Sequence, residues 1–171
     1  MDTTDQITTI EQAYTHALAI AREAATRYYE FADILMEYSS EATARVFERL
    51  AKMANEYAET VADKAGGVTL PVLEAWRHSW IDAGPPDKVS RDIVYHMMTP
   101  YGALNIALGG EQRAKAFFEH VAQASRDANV RTFAKEIVAH VDMRIKWIEQ
   151  ALRSAPRPFQ YGDDYEAFLM R

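Results

Sequence analysis

The 171-residue chain contains no cysteine. That excludes disulfides, thiolate metal ligands and thiol chemistry in one stroke. Glycine and proline are scarce, seven and six residues, and they bunch into a few boundaries instead of recurring at the even spacing of an all-β chain. No apolar run approaches the roughly 20 residues of a membrane span. Basic residues are outnumbered, and the formal charge of −6 speaks against nucleic acid as a main partner, because phosphate binding needs a basic face. The opening "MDTTDQITTIEQAY" is acidic and polar, unlike a secretory signal. These absences together lead us to expect a cytoplasmic protein with neither membrane nor nucleic-acid partner.

What remains is an ordinary globular balance, 49% hydrophobic and 26% charged. "AGG" at 65–67 reads as a helix stop, since glycine tolerates the left-handed cap conformation. Thr99–Pro100 reads as an N-cap followed by proline at the first helical position. Asp127 stands where an N-cap is expected, and "APRP" at 155–158 ends the last periodic segment. Four long stretches with helical periodicity lie between these marks, at 5–38, 40–64, 100–124 and 126–153. Short connections near Ser39–Ser40 and Ser125–Asp127 make two antiparallel helical hairpins. The expected fold is all-α: one four-helix domain over 1–154, with a crossover at 68–99 and a C-terminal arm at 155–171. Within the crossover, "PVLEAWRHSWIDA" and "KVSRDIVYHMM" are expected to form short helices.

The hairpins echo each other. "ALAIA" at 17–21 returns as "ALNIA" at 103–107, and Leu50–Ala51 corresponds to Ile137–Val138. Two similar hairpins around one core imply an approximate two-fold axis and a central site faced by all four helices.

"ALNIALGGEQRAKAFFEHVA" (103–122), followed by "DANVRTFAKEIVAHVDMRI" (127–145), resembles the rubrerythrin-like branch of the ferritin-like superfamily. Glu111, Ala114, Phe117 and Phe118 match that family's Glu-x-x-Ala-x-x-Phe-(Phe/Tyr) pattern. The resemblance implies a ferritin-like four-helix bundle in which one Glu from each first helix and a Glu-x-x-His from each second helix surround two irons. Carboxylates neutralise and bridge the cations while imidazoles complete the coordination. Carried across residue by residue, those positions are Arg22 or Ala25 on the first helix, Ala54 and Tyr57 on the second, Glu111 on the third, and Val141 and Arg144 on the fourth. Only Glu111 keeps a ligand side chain. The expectation is therefore a chain without a di-iron centre, in which Glu111 and Arg144 form an ion pair, with Arg22 and Tyr57 as further candidates for the same layer.

Glu136 and His140, one helical turn apart, invite a different reading as metal ligands. Projected at about 100° per residue, His140 sits roughly 90° from the centre of its helix's apolar face and Glu136 roughly 130°. Both are expected at the boundary or in solvent. "YYEF" at 28–31 is read as core packing, the methionines of "YHMM" at 95–98 as core filler, and Trp76 and Trp80 as packing of the crossover. The functional expectation is a non-catalytic binding or structural module without a cofactor, a homodimer with an unidentified protein or small-molecule partner. Two alternatives differ in what they demand. A divergent oxidoreductase would hold iron through Glu111 with shifted ligands among Glu23, Asp33, Glu56 and His140. A small-molecule carrier would use space left by Ala54 and Ala25 in the bundle interior.

Overall fold

The computed structural model describes residues 7–38, 40–68, 70 and 99–157. The two expected crossover helices, the tryptophan pair, "YHMM" and most of the C-terminal arm lie outside the described residues. The described chain forms four long helices, α1 (Ile10–Tyr38), α2 (Glu41–Lys64), α3 (Pro100–Ala124) and α4 (Ala128–Ser154), and none of it is strand. No helix among the described residues is long and apolar enough to cross a membrane.

Local chemistry sets the helix ends. At the start of α1, the Gln12 side chain accepts from the backbone N–H of Thr8 at 2.9 Å while the Thr9 hydroxyl accepts from the N–H of Gln12. This reciprocal arrangement satisfies donors that the first turn leaves open. Ser40 caps α2, Thr99 caps α3 ahead of Pro100, and Asp127 caps α4 by accepting from Asn129 N–H at 2.7 Å and Val130 N–H at 3.2 Å. At the other end of α2, Gly66 takes φ +62°. The space around its missing side chain is open, so the backbone conformation alone requires glycine there.

The helices pair as α1 with α2 and α3 with α4, and lighter contacts join α1 to both α3 and α4, and α2 to α4. The protein is an all-α four-helix bundle made of two helical hairpins. Its apolar interior falls into two clusters stacked along the bundle. One gathers the first half of α1 (Ala13 to Ala21), the second half of α2 (Tyr57 to Val61), the second half of α3 (Ala114 to Val121) and the first half of α4 (Val130 to Val141). The other gathers Tyr28 to Leu35, Ala44 to Ala51, Ala103 to Ala107, and Ile148. Phe31 and Phe47 lock the second cluster edge to face at 5.2 Å. Each fully buried Phe or Leu contributes about 1.5–3 kcal/mol relative to exposure, so the two clusters carry the fold.

Candidate functional site: a buried ion pair at the centre of the bundle

Ala25, Ala54, Glu111 and Arg144 are all buried and belong to neither cluster. Each falls where its own helix passes from one cluster to the other. They therefore mark a central layer to which every helix contributes one side chain. The α1–α2 hairpin supplies two alanines, and the α3–α4 hairpin supplies two long charged residues.

Glu111 and Arg144 meet there in a fork. Arg144 Nε donates to Glu111 Oε1 at 2.7 Å, and Arg144 Nη2 donates to Glu111 Oε2 at 2.9 Å. Their side chains are 3% and 4% exposed. Charge-assisted bidentate bonds of this kind are among the strongest side-chain contacts, and burial requires them, since an isolated ion in this interior would be prohibitive. The Tyr28 hydroxyl donates to the same Glu111 Oε1. Glu111 Oε1 thus accepts two hydrogen bonds and Oε2 one.

The protonation states follow from this packing. Burial pushes the Tyr28 phenol well above its usual value, and the Glu111 charge pushes in the same direction against the pull of Arg144. Tyr28 therefore remains a donor. Burial acts to lower the Arg144 pKa, but the Glu111 charge and hydrogen bonds, helped by Tyr28 and Tyr57, outweigh it and raise the value. Arg144 stays a cation in a place where bulk water could not keep it one.

Tyr57 stands beside the layer on α2. It is 8% exposed, and its ring lies 4.5 Å from that of His140. Burial raises its phenol pKa, with Arg144 opposing and Glu136 adding to the rise. His140 itself is exposed. Burial of its partly covered ring lowers its pKa, with Arg144 and Lys64 acting in the same direction and Glu136 against. Glu136 is exposed and bonded to Lys64 of α2, so the Glu136–His140 turn faces the α2–α4 seam and not the bundle centre.

Burial also resolves the register of the first helix. Ala25 is 2% exposed, whereas Arg22 is exposed. Matching "ALAIA" to "ALNIA" places buried Ala21, Ala25, Tyr28 and Ala32 against buried Ala107, Glu111, Ala114 and Phe118. Arg22 points out of the layer and does not join the pair. Of the remaining positions, Val141 lies in the core wall at 1% exposure. Glu56 and Asp33 are exposed. Glu23 lines a cleft between α1 and α3 with Ala24, Tyr28, Ala107, Gly110 and Glu111. The cleft volume is about 30 Å³, room for about two waters at most. No three His, Asp or Glu side chains converge on a common point among the described residues.

Tyr28 is the residue that sequence reasoning missed. Helical spacing reads it as packing, and it does pack, its ring 5.8 Å from that of Phe47. Its signal was available: a tyrosine on an apolar face, one turn from the layer of a lone carboxylate, needs a partner for its hydroxyl.

The fold and site together define a four-helix bundle whose centre is occupied by a charged, hydrogen-bonded layer. No family model and no curated protein matches the chain. A solved structure is similar: an uncharacterized conserved protein from Magnetospirillum magnetotacticum MS-1, 26% identical, with a TM-score of 0.76 over 89% of this chain and 99% of that one.

Proposed function

We propose that the protein is a rubrerythrin-like, ferritin-fold bundle in which an ion-paired layer stands where that family holds two irons, and that it acts as a non-catalytic binding or structural module. The observation that carries this reading is the position of Arg144. The family pattern puts a histidine ligand there, and here a buried guanidinium grips the single carboxylate that the pattern retains. An arginine at that point repels a divalent cation and occupies both oxygens of the carboxylate that would bind it. Ala25, Ala54 and Val141 offer no donor atoms, and Tyr57 offers only a phenol whose proton burial holds in place. The residues present do not fit a di-iron centre. A cytoplasmic homodimer with an unidentified partner completes the proposal, the dimer being testable by sedimentation.

The experiment is elemental analysis of protein purified without chelator and again after anaerobic loading with Fe(II). Less than about a tenth of an equivalent in both samples is expected. One or two equivalents that disappear in Glu111→Ala would replace this reading with an oxidoreductase that uses shifted ligands.

A further inference from the structure

Tyr57 poses a problem that the ion pair leaves unsolved. Its hydroxyl is buried and has no hydrogen-bond partner among the described residues, while the residue as a whole is 8% exposed. Leaving such a group unsatisfied costs on the order of tenfold or more in the folding equilibrium. Phenylalanine would fill the same space without that penalty, so the hydroxyl needs an explanation.

A second polar group with bonding capacity to spare lies in the adjoining central layer. Glu111 takes bonds from Nε and Nη2 of Arg144, which uses two of the five N–H groups of a guanidinium. Tyr57 occupies on α2 the position that Arg144 occupies on α4 when Leu50 is matched to Ile137, Ala54 to Val141 and Val61 to Ile148, all of them buried. The two side chains therefore approach the central layer from facing helices, and the His140 ring closes the seam on the outer side of Tyr57 at 4.5 Å. What would bridge them must accept from Arg144 and bond to a phenol. Charge narrows the choice further. Glu111 and Arg144 already cancel, so an anion would leave a net negative charge in a buried layer, whereas a neutral molecule would not.

We propose that the Tyr57 hydroxyl and the remaining edge of the Arg144 guanidinium hold one internal water molecule, which completes the polar layer. Such waters make about three hydrogen bonds and are costly to remove. This site also gives the layer a reason to stay polar: the water can accept from the Tyr57 hydroxyl and from one free Arg144 N–H. The inference deepens the proposed function and rests on the same layer, but the two fail separately. A bound metal would appear in elemental analysis and anomalous scattering, and a water in neither.

The test is a high-resolution crystal structure of the full chain, unsoaked and after a bromide soak, with Tyr57→Phe alongside. The expected result is a peak within hydrogen-bond distance of both Tyr57 Oη and the Arg144 guanidinium, without anomalous signal after the soak. That peak should vanish in Tyr57→Phe, and the folding equilibrium constant should fall about five- to thirty-fold. Absence of the peak in the wild type overturns the proposal even if the variant does not fold. So does a bromide signal at the site, which would make it a halide site, or a peak that survives in Tyr57→Phe.

Discussion

Removing Arg144 alone should damage this protein more than removing the whole ion pair. Arg144→Met keeps much of the buried stem but deletes two charge-assisted bonds of 2.7 and 2.9 Å. Glu111, 3% exposed, would then keep Tyr28 as its donor and lose its countercharge. Breaking a buried pair in this way costs about 3–5 kcal/mol, a large share of the roughly 5–15 kcal/mol available to a domain. Glu111→Leu strands the guanidinium and should cost a similar amount. The combined Glu111→Leu/Arg144→Met variant leaves no buried charge in this layer. Its remaining defects are the Tyr28 hydroxyl, deprived of an acceptor at about 1–3 kcal/mol, and the Tyr57 hydroxyl, whose water site loses Arg144; adding Tyr28→Phe and Tyr57→Phe removes both. The quadruple variant should therefore be close to wild type or up to about 4 kcal/mol more stable. Urea unfolding followed by far-UV circular dichroism measures all four, with a constant slope as the check on two-state behaviour. Single-variant losses under about 1 kcal/mol would mean a wet pair, and additive losses would mean two independent residues. Either result would refute the reasoning.

Three further outcomes follow from the same geometry. Tyr28 and Tyr57 both have phenol pKa values raised by burial, above the ordinary 10.0. Above that pH the unfolded chain loses protons that the folded chain keeps, so stability is full below about pH 10 and falls as pH rises; a flat profile in alkaline urea titrations would contradict this. The His140 imidazole, with its pKa lowered from 6.5 by burial, Arg144 and Lys64, should titrate below that value by NMR. Its contribution to stability is then lost as pH falls below 6.5, and the shift should shrink in Lys64→Gln. Ala54 is 0% exposed, so Ala54→Leu should destabilise by about 1–3 kcal/mol through overpacking. A stabilised variant would instead reveal a void and favour a carrier function.

The four helices were legible from period and punctuation because both are local. Apolar residues recur at helical spacing, and Thr99–Pro100, Asp127 and Gly66 mark ends by backbone chemistry that no distant residue alters. Pairing of the hairpins followed from short connections. Glu111 was visible as a carboxylate on an apolar face, and helical projection was enough to set Glu136 and His140 outside the core.

The sequence by itself determined an all-α bundle and placed a lone carboxylate, Glu111, on the apolar face of its helix. The tertiary structure decided how that carboxylate is satisfied. Whether α1 presents Arg22 or Ala25 depended on a rotation about the helix axis that two competing alignments left open, and only packing against the other hairpin fixed it at Ala25. That Tyr28 bonds Glu111 across the bundle, and that Arg144 turns inward instead of reaching solvent along its flexible stem, are facts of three-dimensional proximity. A buried charge finds its partners through space, and sequence separation carries no trace of which ones.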